Sequence, residues 1–170
     1  MAEMGVNALK NNLTNPARTY LWEMIIPNPI GGGDSETLTL RCQSTNVPGR
    51  SFGEIKVPFK QSAGLKFPGK LTYSQIWACT FIEGEDKKIF DAIHAWNQSV
   101  INDYENIGEG DTEIKQDLYL TLLTTKGDEA LKIKLVGCYP QEVGEVALNY
   151  ETEDSIKYPV TFSFDRWEAQ

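Results

Sequence analysis

The sequence predicts a mainly β fold, a barrel or sandwich with one flanking α-helix and a projecting β-hairpin. Three observations carry this reading. Segments that alternate apolar and polar residues at period two recur along the chain. A single segment keeps an apolar stripe at helical spacing. Clusters of Gly, Pro, Asn and Asp separate the segments, as turns require.

Taken in order, residues 1–18 are polar and rich in Asn, and are expected to form an N-terminal arm. Residues 19–170 are expected to form one domain, as the length of the chain allows. The first strand is expected at 20–26, where Tyr20, Trp22, Met24 and Ile26 share a face, and Pro27-Asn28-Pro29 ends it. Gly31-Gly32-Gly33 is a loop, because no Gly-Lys-Ser/Thr follows to make it a phosphate cradle. A second strand is expected at 37–43. Residues 51–60 and 65–71 alternate around Gln61-Ser62-Ala63-Gly64 and read as a long hairpin. That hairpin is too polar and too basic for a core, so it is expected to project.

A strand over 75–82 places Trp77, Cys79 and Phe81 on one face. The helix follows over 86–102, with Ile89, Ile93, Trp96 and Val100 as its packing face. Beyond an acidic loop, strands are expected at 117–125 and 131–139, joined through Lys126-Gly127-Asp128-Glu129. A last strand is expected at 158–167. About eight strands with the helix between them suit a barrel or sandwich with the helix laid against it.

Charge and composition narrow the function. Charged residues make up 24% and hydrophobic residues 41%, which favours a packed globule over disorder. No stretch approaches the length of a membrane span, and the N-terminus lacks the basic and apolar regions of a signal peptide, so no membrane partner is expected. The net charge of −8 argues against a tight grip on nucleic acid. The charge is also uneven. Arg50, Lys56, Lys60, Lys66 and Lys70 stand against Glu54 alone, whereas 103–117 and 141–154 are acidic. Such blocks are commonly solvated surface, but opposite blocks on one chain also suit head-to-tail self-association.

Candidate chemistry is sparse. The one histidine, His94, lies in the helix without a nucleophile motif around it. The carboxylate pairs Glu142/Glu145 and Glu151/Glu153 lack the apolar surroundings that would raise a pKa. Glu151, Glu153 and Asp154 do not follow an EF-hand pattern. Cys42, Cys79 and Cys138 are too widely spaced for a metal site and read as reduced core thiols. The four tryptophans, each in a periodic apolar segment, read as core rather than as stacking platforms. No catalytic residue, metal or cofactor is expected.

The segment order resembles the tail tube proteins of contractile-tailed bacteriophages. The resemblance rests on Arg18-Thr19-Tyr20-Leu21-Trp22-Glu23-Met24, the turn Cys42-Gln43-Ser44-Thr45-Asn46-Val47-Pro48-Gly49-Arg50, and the hairpin Lys56-Val57-Pro58-Phe59-Lys60 with Leu65-Lys66-Phe67-Pro68-Gly69. The helix around Trp96, the stretch Gly137-Cys138-Tyr139-Pro140-Gln141-Glu142-Val143-Gly144 and the closing segment 158–167 complete it. The resemblance implies hexameric rings that stack head to tail into the hollow inner tube of a virion tail, assembled in the host cytoplasm. It implies sheath, baseplate and tape-measure proteins as partners, and DNA that passes through the lumen without sequence-specific binding. A type VI secretion tube and a non-contractile tail tube share this pattern. From another class, a monomeric β-sandwich that binds or hydrolyses carbohydrate is the alternative.

Under this reading, Arg50, Lys56, Lys60, Lys66 and Lys70 are the candidate inter-ring contacts. The acidic stretches 103–117 and 141–154 are the candidate surfaces they would meet. The competing expectation is that these basic residues only keep an exposed hairpin soluble.

Overall fold

The computed structural model describes residues 6–13, 15–101, 108 and 110–170. The body is a seven-stranded antiparallel sheet in the order β1-β6-β7-β8-β5-β2, with β9 added against β7. These strands are β1 (Trp22–Ile25), β2 (Cys42–Thr45), β5 (Ile76–Ile82), β6 (Gln116–Leu123), β7 (Glu129–Val143), β8 (Lys157–Ser163) and β9 (Arg166–Ala169). The remaining two, β3 (Arg50–Phe59) and β4 (Ser62–Tyr73), pair only with each other. The fold is therefore mainly β, as its alternating segments require.

Strand β7 makes the sheet turn a corner. Its first part pairs with β6 on one side and β9 on the other, and its last residues pair with β8. Gly137 sits at the switch with φ +69, a conformation that L side chains rarely adopt. A Cβ there would run into the Asp165 carboxylate. The same corner breaks the strand expected over 158–167. Phe164 and Asp165 leave the ladder as the chain steps round Gly137, and the Asp165 N–H donates to the Val136 carbonyl at 3.0 Å. Two strands, β8 and β9, result.

The bent sheet encloses one core. Met24, Trp77, Phe81, Leu118, Leu135 and Phe162 are all fully buried. Trp77 and Trp96 both pack on Phe162, with ring centroids 6.0 and 5.7 Å away. Buried indole N–H groups need partners. Trp77 donates to the Asn46 carbonyl at 2.7 Å and Trp96 to the Ile114 carbonyl at 2.8 Å. Trp22 and Trp167 are only partly buried.

Helix α1 (Val6–Asn12) buries nothing. The strand expected over 37–43 is a helix instead, α2 (Ser35–Arg41), and β2 begins only at Cys42. The Asp34 side chain caps α2, accepting from the Glu36 and Thr37 amides and from the Thr37 hydroxyl. The apparent alternation of Leu38 and Leu40 misleads, since Leu38 is buried and Leu40 is exposed.

Helix α3 (Lys88–Val100) spans slightly less than the expected 86–102. Ile89, Ile93 and Trp96 are buried, whereas Val100 is only partly covered. Its N-terminus has no cap of its own, because Lys87 is left-handed with φ 56. Glu83 does that work from outside the helix, accepting from the Ile89 amide at 3.3 Å and the Phe90 amide at 2.6 Å. Arg41 then forks onto Asp86 at 2.6 and 2.7 Å and ties α2 to the start of α3. A short turn, α4 (Asp111–Ile114), precedes β6; most of the expected acidic loop before it lies outside the described residues.

Candidate assembly surface

The β3–β4 hairpin stands clear of the body. Every residue of β3 is exposed. Its root is fixed: Tyr73 meets Trp167 edge-on at 6.4 Å, and the Arg50 guanidinium lies 5.6 Å over the same ring. Beyond the root, the cross-strand register sorts the side chains into two faces. Ile55 stands opposite Phe67 and Val57 opposite Leu65, so these four share one face, with Phe59 following at the tip. Lys56 stands opposite Lys66 on the other face, beside Glu54.

The apolar face is open. Its five side chains are between 46% (Val57) and 63% (Leu65) exposed. Scattered exposed hydrophobics mean little, but a contiguous apolar face on a projecting element marks an interaction site. The hairpin projects as expected, but its surface is not uniformly polar: Ile55, Val57, Leu65 and Phe67 gather on one face.

The five basic residues are not equivalent. Lys66 and Lys56 reach Glu54 on their own hairpin, at 2.9 and 3.5 Å. Arg50 is held at the root by Trp167. Lys60 lies at the tip with its ammonium 5.6 Å from the Phe59 ring centroid, and Lys70 is exposed without an acidic partner within 4 Å among the described residues. Lys60 and Lys70 are thus the cations least committed to their own chain.

The remaining candidate side chains are ordinary parts of the fold. His94 is exposed and stacks on Phe90 at 5.1 Å, with an interplanar angle of 16°. Cys79 and Cys138 are buried, Cys42 is partly covered, and all three are free thiols. Burial pushes the Cys138 thiol up to about 12 and the Cys79 thiol well above its ordinary range, so neither carries thiolate near neutrality. Among the described residues no group of three His, Cys, Asp or Glu gathers as metal ligands would, and no helix is long and apolar enough to cross a membrane.

The sheet leaves further surface unpaired. Strands β1 and β2 end the path, and no ladder joins them among the described residues. They nevertheless lie near each other, with the Cys42 thiol 3.6 Å from the Met24 sulfur. A cleft of about 310 Å³ opens along this seam, lined by Arg18, Trp22, Asn46, Val47, Leu120 and Leu122. Free strand edges are templates for pairing with another chain. The apolar face of the hairpin and the edges of β1 and β2 are thus left uncovered among the described residues.

Comparison with known proteins identifies the family. Residues 12–170 match the phage tail tube protein family. The chain belongs to that family. A tail tube protein of Serratia phage KSP90 is 25% identical over 142 residues, covering 81% of this chain and 79% of that protein. Two solved structures share the fold of this tail tube protein. One is a chain of the tube-terminating cap of the anti-feeding prophage, with TM-score 0.67 and 15% identity over 92% of this chain and 91% of that one. The other belongs to the sheath–tube complex of the extracellular contractile injection system PVC in its extended state, with TM-score 0.66 and 16% identity over 99% of each chain. As a tail tube protein, the chain is a structural component of a phage tail.

Proposed function

We propose that this tail tube protein closes into hexameric rings and stacks them head to tail into the hollow inner tube through which DNA leaves the virion. The observation that carries the proposal is the hairpin of 50–73, which extends from the body with an uncovered apolar face. Leaving that face in water is costly, and a neighbouring subunit removes the cost. The free edges of β1, β2 and β9 supply what a closed ring needs, because edge pairing round a ring leaves no strand unpaired.

Stacking of unlike faces is heterologous and propagates without limit, which makes a tube rather than a closed shell. The net charge of −8 suits a conduit for a polyanion, since a negative wall does not retain DNA by its phosphates. Sheath, baseplate and tape-measure proteins are the partners that such a tube requires, with assembly in the host cytoplasm. The sheath–tube complex among the structural neighbours supports the sheath in particular. The chain works by shape and contact, with no catalysed reaction.

Negative-stain microscopy of the purified chain tests this. Rings with a central hole, end-on, and striated tubes, side-on, are expected. A protein that remains monomeric at high concentration across a range of salt contradicts it.

A further inference from the structure

Sulfur atoms from three strands converge at the seam between the two ends of the sheet. Met24 lies on β1, Cys42 opens β2 and Cys79 lies on β5. Cys42 stands opposite Phe81 in the β2–β5 ladder, so it shares the inward face of β5 with Cys79, two residues along. The Cys42 thiol lies 3.6 Å from the Met24 sulfur. It is also near enough to Cys79 to rank second to burial among the causes that push the Cys79 thiol up. Cys42 thus links the other two sulfurs.

The surroundings suit a ligand set. Met24 and Cys79 are buried in the core, whereas Cys42 is partly covered. A cleft of about 460 Å³, lined by Tyr20, Trp22, Glu23, Leu40, Cys42 and Gln43, leads from solvent to the Cys42 side of the group. The Thr45 hydroxyl lies 3.3 Å from the Cys79 sulfur on the opposite side. Among the described residues no His, Asp or Glu joins the two thiols as a further hard or borderline ligand. The donors are therefore two thiols and a thioether, and such soft sulfur ligands select Cu(I) over the harder divalent ions.

We propose that Met24, Cys42 and Cys79 form a Cu(I) site with two thiolate ligands and one thioether ligand. At a metal–sulfur distance of about 2.3 Å, as in zinc–thiolate bonds, two sulfurs 3.6 Å apart subtend about 100° at the ion, an angle that a low-coordinate sulfur site accommodates. Each thiol releases its proton to solvent as its bond to copper forms, and no electron moves. The Thr45 hydroxyl then donates to the Cys79 thiolate and supports it from the second shell. The register shift between Cys42 and Ser44 frees Cys42 from strict pairing, so its sulfur can settle on the ion. Bound copper joins β1 to β2, the two ends of the sheet that no ladder connects among the described residues. The site lies within one chain and does not depend on how copies assemble.

Titration of the full chain with Cu(I), held as its bicinchoninate complex with ascorbate and without oxygen, tests this. The chain should take one Cu(I) from the chelator. Its thermal unfolding midpoint should rise by about 5–10 °C when free Cu(I) exceeds the dissociation constant a hundredfold. Cys42→Ser, at a partly exposed position, should abolish uptake. Met24→Leu keeps the volume of the buried side chain but removes its sulfur, and should weaken binding by at least about tenfold. Cys138→Ala, which removes the thiol outside the group, should still take one Cu(I). Failure of the parent chain to compete with bicinchoninate overturns the proposal. Uptake that survives unchanged in Cys42→Ser or in Met24→Leu also overturns it, because the copper would then sit elsewhere. A midpoint that falls on adding Cu(I) overturns it too, since the ion would then favour the cysteines of the unfolded chain.

Discussion

Replacing Ile55, Val57 and Phe67 together by Ser separates stability of the subunit from assembly. The three side chains are 54%, 46% and 49% exposed on the apolar face of the hairpin. Full burial of such a side chain is worth about 1.5–3 kcal/mol, so covering the exposed half of each contributes about 1 kcal/mol. Losing three weakens one subunit–subunit contact by about 3 kcal/mol, or roughly a hundredfold in its association constant. The folded subunit should barely notice, because this part of the hairpin packs only on itself: β3 and β4 pair with no other strand. The expected result is a thermal unfolding midpoint close to that of the parent, together with tube formation shifted to far higher concentration in sedimentation. Parent-like tube yield would refute the argument that this face is covered in the assembly. A large drop in the unfolding midpoint would show that the hairpin belongs to the core.

Further substitutions address the frame that holds the hairpin. Glu83→Ala removes the carboxylate that caps α3 at the Ile89 and Phe90 amides, and should cost about 1–2 kcal/mol in denaturant unfolding. Trp96→Phe leaves the buried Ile114 carbonyl without its indole donor and opens space in the core, so a loss of about 2–3 kcal/mol is expected by the same assay. Gly137→Ala forces a side chain into a left-handed position against Asp165, and should lower the unfolding midpoint more than Gly127→Ala, where open space surrounds the turn. The hydrogen bonds from Arg41 hold the Asp86 carboxyl down at about 2, below its ordinary 3.8. The pair's contribution is therefore present above pH about 4 and is lost as pH falls through 2, so the Asp86→Asn variant should show a shallower acid-induced loss of stability there than the parent.

Helix α3 was legible because Ile89, Ile93 and Trp96 recur at helical spacing, and burial of that stripe decides the structure. Strands β5, β6 and β8 were legible for the same reason at period two. Helix α2 was not read, although Asp34 followed by Thr37 is a recognisable cap, because Leu38 and Leu40 imitate strand alternation over too short a span. The break between β8 and β9 depends on where Gly137 turns a distant strand, and nothing local to Phe164 or Asp165 announces it. Glu83 capping α3 from outside the helix is likewise a product of tertiary placement.

The hairpin was half legible. Its existence follows from the alternation of 51–60 and 65–71, and its basic residues are plain in the sequence. Their pairing with Glu54 and the separate apolar face of Ile55, Val57, Leu65 and Phe67 emerge only once the register is known. Lys56 and Lys66 reach Glu54 on their own hairpin, and Phe59 joins the apolar face at the tip, neither of which local spacing announces.

Helical reconstruction from electron micrographs of tubes grown from the purified chain tests the central claim most directly. The account predicts stacked rings round an open lumen, with the hairpin of 50–73 buried between one ring and the next. Filaments in which that hairpin stays in solvent, or an absence of rings at any concentration, would contradict it.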